Sequence, residues 1–377
     1  NQLAHAMLRL GLRPRDRVGT LCGNSLEFTV TIYGLAKAGL VWVPVNPGLA
    51  PEDVNYILRH AEVKALFIDD AYYGLYQRTG FVPEIPPVII KATGGPGPEN
   101  LEVWEKLVAS APEGEVEVEI WDRDLCQIMY TSGTTAAPKG VMTSHLAVFV
   151  ASLNNIIELN ITRDSVISCL MPLFHCAQHT FLTSALHAGG TAVIMRGFEV
   201  GELVRAIHEE RITWLFALPG MYRALLDYPE RSRFDLSSLR TCLYAMTPMD
   251  RRTLTEAIEQ LGAEFCLGTC QTECYPSTNN FKPEWQLKKE GNYWGESALT
   301  LETAVMDDEG HLLPPGQVGE IVWRGPTVME GYLKDEAATA ESRKFGWHHS
   351  GDLGYFDEDG LLVFVDRKKD MIKTGGE

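Results

Sequence analysis

VGTLCG (18–23), LEFTVTIYGLAKA (26–38), VWVPV (41–45), PEDVNYILRH (51–60) and KALFI (64–68) follow one another with only short breaks. The first, third and fifth are apolar runs of strand length. The second carries Phe28, Ile32, Leu35 and Ala36 at helical spacing. The fourth opens Pro51-Glu52-Asp53, and both proline and acidic residues suit the positive first turn of a helix. This strand–helix alternation predicts a mostly parallel sheet with helices on both faces.

Working outward, Gly94–Asn100 is a Gly/Pro-containing surface loop. The alternation then resumes, with strands at Val166–Met171, Thr191–Met195, Thr213–Leu218, Thr241–Tyr244 and Glu264–Leu267. Helices fall at Val200–Glu209 and Arg251–Leu261. A second doubly wound unit in tandem is the expectation. From about Gly291 the character changes. Leu301–Met306, Gly319–Arg324 and Leu361–Val365 are strand-like, separated by turns at Asp307–Gly310, Pro314–Gly316 and Asp357–Gly360. That pattern predicts a small antiparallel β-unit.

Composition narrows the function classes. Of 377 residues, 33 are Lys or Arg and 50 are Asp or Glu, a net charge of −17. Such a balance argues against nucleic-acid binding, which depends on cations neutralising phosphates, and against anionic membrane surfaces. No apolar run approaches the ~18 residues of a membrane span. Asn1–Leu12 reads as a helix already under way, without a signal peptide, so further upstream sequence is expected. The eight cysteines sit mostly in apolar runs and read as small buried hydrophobes in a reducing compartment, taken as the cytoplasm. Cys266, Cys270 and Cys274 do not have a metal-site spacing.

The densest chemistry lies in Tyr130–Gly140, YTSGTTAAPKG. Thr131, Ser132, Thr134 and Thr135 offer hydroxyls, Gly133 offers backbone freedom and Lys139 a point charge, together a means of wrapping phosphate oxygens. It is not a Walker A loop, because Pro138 precedes the lysine and Gly140 follows it. Further on come Met171-Pro172-Leu173-Phe174-His175, then Tyr244-Ala245-Met246-Thr247-Pro248. Gly268-Thr269-Cys270-Gln271-Thr272-Glu273, Ser350-Gly351-Asp352 and the charged run Asp366–Lys373 complete the set. His175 and His179 are four apart, but Cys176 stands where a zinc protease carries Glu.

These motifs, in this order and across essentially the whole chain, resemble the adenylate-forming superfamily of acyl-CoA synthetases, luciferases and peptide-synthetase adenylation domains. The resemblance implies an α/β fold of two doubly wound flavodoxin-like subdomains plus a small antiparallel β-barrel subdomain. The first would span 15–163 and the second 1–14 with 164–290. The barrel would span 291–366, and 367–377 would be the hinge into a further C-terminal domain. It implies ATP-dependent conversion of a fatty or aryl carboxylic acid to an acyl adenylate, then to a CoA thioester, with Mg²⁺.

By the same resemblance, catalytic work falls on Lys139, His175, Glu273 and Arg367. Thr131, Ser132, Gly133, Thr134, Thr135, Lys139, Thr269, Thr272, Asp352, Phe364 and Arg367 would bind ATP or AMP. His175, Tyr244 and Met246 would line the acyl pocket, Glu273 would hold Mg²⁺ and Lys369 would be the hinge. The family's closing lysine lies beyond Glu377, so this chain alone is expected to adenylate poorly. Five positions depart from the pattern. Ala136 replaces a glycine, Ala245 and Met246 add bulk where the family has two glycines, and Thr269 and Cys270 lack the aromatic that flanks adenine. Two other readings stay open: a ligase that loads a carrier protein, and a non-catalytic nucleotide- or acyl-binding module.

Overall fold

The computed structural model describes residues 1–95, 101–131, 137–245 and 247–368. The strands in chain order are β1 (Arg17–Leu21), β2 (Val41–Pro44), β3 (Ala65–Asp69), β4 (Val88–Ile90), β5 (Glu102–Val103), β6 (Leu125–Thr131), β7 (Lys139–Ser144), β8 (Val166–Cys169), β9 (Thr191–Ile194) and β10 (Trp214–Phe216). They continue as β11 (Thr241–Tyr244), β12 (Glu264–Cys270), β13 (Ser277–Phe281), β14 (Tyr293–Ser297), β15 (Glu302–Met306), β16 (Gly319–Arg324), β17 (Gly331–Tyr332), β18 (His348–Phe356) and β19 (Leu362–Arg367).

One sheet runs β17-β7-β6-β2-β1-β3-β4-β5. It is parallel except at the β6–β7 and β7–β17 pairs. The other runs β15-β16-β18-β19-β14-β13-β12-β11-β10-β8-β9. Its β9-β8-β10-β11-β12 half is parallel. In such sheets ligands sit beyond the carboxyl ends of the strands.

Helices α1 (Gln2–Arg9), α2 (Leu26–Lys37), α3 (Pro51–His60), α4 (Tyr73–Thr79), α5 (Trp104–Ala109), α6 (His145–Glu158) and α7 (Cys176–Ala188) serve the first sheet and its junction with the second. Ser25 caps α2 by accepting from the Phe28 N–H, satisfying an orphan donor of the first turn. Phe28, Ile32 and Leu35 on α2 join Trp42 and Phe67 of the first sheet, Phe181 and Leu182 of α7, and Ile167 and Phe216 of the second sheet. One apolar core therefore locks the two sheets together through a shared helical layer.

Two expectations are corrected. Residues 1–14 do not join the second unit: α1 packs against α2 and α5. Gly34 permits this, since a Cβ there would lie 2.7 Å from Leu3 Cδ2. The small β-unit is not a closed barrel among the described residues. Asn279 and Asn280 of β13 pair with Ser297 and Glu296 of β14, so its antiparallel strands extend the second sheet outward. No described helix is long and apolar enough to cross a membrane.

The β13–β14 contact depends on Gly295. Its φ is +85°, and a Cβ there would lie 2.3 Å from the Asn280 carbonyl oxygen. Gly295→Ala is expected to destabilise the protein by about 2 kcal/mol or more, combining strain with a backbone clash. Urea unfolding of the two proteins measures this as a lower midpoint at unchanged slope.

Candidate active site

Strand ends gather the candidate residues. The segment after β8 delivers His175, the turn after β11 delivers Thr247 and Pro248, and the end of β12 delivers Thr269 through Thr272. Two hollows meet at this last segment. A cavity of about 380 Å³ is bounded by Thr269, Gln271, Trp294, Asp352, Phe364 and Arg367, among others. A cleft of about 440 Å³ is bounded by Tyr130, Thr131, Pro138, Phe174, His175 and Thr272, among others.

Within the cavity, Phe364 stacks on Trp294 with centroids 5.0 Å apart and planes 10° apart. Trp294 stacks in turn near Trp323, at 6.4 Å and 10°. Offset aromatic layers of this kind present a flat apolar wall. Facing it, Arg367 Nε lies 3.6 Å from Asp352 Oδ1. Burial pushes the Asp352 carboxyl up to about 6; Arg367 opposes this, and Glu320 and Glu273 add to it. Thr269 Oγ1 lies 2.9 Å from Thr278 Oγ1.

In the cleft, β6 and β7 form a hairpin that sets Thr131 opposite Lys139. Lys139 Nζ lies 4.8 Å above the Tyr332 ring. Tyr332 donates its O–H to Glu273 Oε1 at 2.9 Å. Burial raises the Glu273 carboxyl above its usual value, against the Tyr332 hydrogen bond and the Lys139 charge. His175 caps α7, its Nδ1 accepting from the Ala177 N–H at 3.3 Å. The ring remains open to solvent at the cleft, yet the protein crowded around it holds the imidazole below its ordinary pKa. Thr272 Oγ1 lies 3.6 Å from Cys176 Sγ.

Thr131, Lys139, His175, Thr272 and Glu273 thus share the cleft region, while Thr269, Asp352, Phe364 and Arg367 share the cavity. Tyr244 joins neither. Side chains alternate along β11, so Leu243 and Ala245 face a small hollow beside Gly268, whereas Tyr244 points into the opposite core and donates to Gln286 Oε1 at 2.7 Å. Ser132, Gly133, Thr134, Thr135, Met246 and Lys369 lie outside the described residues. Sequence reasoning missed Trp294 and Tyr332. Neither belongs to a motif, and each gains its place only through packing on Phe364 or Glu273.

The sequence signature described as AMP-binding enzyme matches residues 1–333. The chain belongs to this family of AMP-binding enzymes. Within the family it is 32% identical over 377 residues to a feruloyl-CoA synthase of Amycolatopsis sp., covering all of this chain and 73% of that protein. It is 32% identical over 388 residues to a fatty acid–[acyl-carrier-protein] ligase of Streptomyces coeruleorubidus, covering 100% of this chain and 72% of that protein. The structure resembles an anthranilate CoA ligase crystallised with anthranoyl-AMP, with a TM-score of 0.91 and 25% identity, covering 100% of this chain and 73% of that one. The relatives it matches are acid-activating ligases, and the matched span takes in the cleft residues and Trp294 but ends before Asp352, Phe364 and Arg367.

Proposed function

We propose that this protein activates a fatty or aryl carboxylic acid with ATP to an acyl adenylate and then transfers the acyl group to CoA in the cytoplasm. The observation that carries this reading is the meeting of the two hollows at Gln271 and Thr272. A nucleotide in one would bring its α-phosphate to the border of the other.

In the cavity, the Trp294–Phe364 wall gives adenine a stacking surface, replacing the ring absent at Thr269. Asp352 accepts from the ribose hydroxyls, and Arg367 faces ribose and phosphate. In the cleft, His175 orients the acid carboxylate. Thr131, Thr272, Lys139 and the loop residues Ser132 to Thr135 grip phosphate oxygens. One carboxylate oxygen attacks the α-phosphorus and the bond to pyrophosphate breaks. A CoA thiolate then attacks the acyl carbonyl and AMP departs. Positioning and positive charge are the main tools for such phosphoryl chemistry.

The Glu273 carboxylate suits Mg²⁺, a hard cation that prefers oxygen. It is held in place by Tyr332, and its burial leaves charge that a cation would offset. When bound there, Mg²⁺ would supply positive charge to the phosphate oxygens. Eight free thiols support the reducing compartment. The similarity to a carrier-protein ligase supports a second acceptor reading, in which a phosphopantetheinyl protein replaces CoA. Turnover with CoA alone separates the two.

Hydroxylamine trapping by the full-length protein across fatty, aryl and small acids tests the main proposal. A hydroxamate from the fatty or aryl set supports it, and none from any acid sinks it. The Asp352 role adds a pH signature. Its raised pKa means that ionised Asp352 is a cost to the folded state, present above about pH 6 and relieved as pH falls toward 4. Ribose donors offset that cost, so AMP affinity is expected to rise with pH through about 6. In Asp352→Asn this dependence is expected to vanish, as titration calorimetry between acidic and neutral pH would show.

A further inference from the structure

We propose that the buried Tyr275–His179 pair is a positioning device that fixes Thr272 and Glu273 against His175. It rests on the functional reading above, in which these three residues share one site. Tyr275 ends the short turn Thr272–Cys274, with φ +30° and ψ +92°. A bulky L-residue rarely takes such a conformation, and it persists only where the surroundings over-determine it. Tyr275 is completely buried.

Its surroundings supply the constraint. The Tyr275 phenol is hydrogen-bonded to His179 Nδ1, and the two rings meet edge to face at 6.2 Å. Trp42 of β2 packs on the His179 ring at 4.9 Å, and Tyr33 of α2 stacks beside it. Burial holds the His179 imidazole down at about 3, so it is neutral. One hydrogen bond therefore joins the phenol oxygen and Nδ1.

The geometry links two motifs that the sequence keeps apart. His179 N–H donates to the His175 carbonyl at 3.2 Å, within one turn of α7. Tyr275 N–H donates to the Thr272 carbonyl at 3.3 Å, closing the turn that carries Glu273. The phenol–imidazole bond thus ties the turn bearing Thr272 and Glu273 to the helical turn that starts at His175. On its far side, Glu273 is anchored where its carbonyl accepts from the Met329 N–H at 2.7 Å.

Tyr275→Phe keeps the ring and removes the O–H. In the full-length protein, the Mg²⁺ concentration for half-maximal acid-dependent ATP–pyrophosphate exchange is expected to rise about tenfold, with kcat falling by a similar factor, as for one lost buried hydrogen bond. KM for ATP is expected to change little, because the cavity around Asp352 and Phe364 is untouched. His179→Phe is expected to give the same phenotype and the double variant to be no worse than either single one. His179→Asn, which restores a side chain able to donate or accept, is expected to recover part of the rate. If either single variant keeps the wild-type Mg²⁺ requirement and kcat while melting at a lower temperature, the pair is merely structural and the proposal fails. Independent, additive losses would overturn it equally. Wild-type protein with no exchange at all would instead defeat the functional reading beneath it.

Discussion

Lys139→Ala is expected to lower kcat/KM for acyl adenylate formation by about a hundred- to a thousandfold, the loss seen when one pre-placed donor is removed from developing negative charge. The reasoning starts from local structure. The β6–β7 hairpin fixes the Lys139 backbone opposite Thr131, so the side chain starts from a defined point at the cleft. Its ammonium rests on the Tyr332 π face. That contact is worth only about 0.5–1 kcal/mol at an exposed site, so the charge can be given up to a phosphate cheaply. Stability is therefore expected to change little. A protein that melts as wild type but adenylates slowly is the expected result in stopped assays of hydroxamate formation. An unchanged rate would remove Lys139 from the catalytic set.

Glu273→Gln is the second large effect. Glutamine keeps the shape and still accepts from Tyr332, but removes the charge that would hold Mg²⁺. The rate at limiting Mg²⁺ is expected to fall about a hundredfold, in line with loss of a key electrostatic group. Stability is expected to move the other way. A carboxyl whose pKa is raised by burial costs the folded state above that pKa, and the cost disappears as pH falls toward the unfolded value. At pH 8 the glutamine variant should melt no lower than wild type. Metal titrations of the exchange rate, paired with thermal melts, test both directions. A variant that is both unfolded and inactive would contradict the assignment of Glu273 to the site rather than the core.

Much of the fold was legible because helix and strand periods differ so clearly in the parallel halves. Pro51–His60 and Arg251–Leu261 form helices over the ranges read from periodicity and end signals. The barrel expectation failed at β13, whose sequence Ser277–Phe281 is polar and carries no alternation. Its buried Asn279 and Asn280 pair with β14, and that tertiary pairing decides whether the sheet closes or extends. The candidate site was legible where one short segment holds several polar groups that line a hollow, as at Gln271-Thr272 and Ser350-Gly351-Asp352. It was illegible where function depends on which face a strand presents. Tyr244 and Leu243 are neighbours, and only packing shows that Leu243 faces the hollow. Trp294 was invisible for a related reason: a lone tryptophan beside Gly295 acquires meaning only when Phe364, seventy residues on, stacks upon it.

The central claim is that the two hollows act as one machine for activating an acid. Exchange of labelled pyrophosphate into ATP by the full-length protein, with and without a carboxylic acid, tests it most directly. The expected result is Mg²⁺-requiring incorporation that appears only when a fatty or aryl acid is present and is lost in Lys139→Ala. AMP binding with no exchange for any acid would contradict the account and leave a nucleotide-binding module in its place.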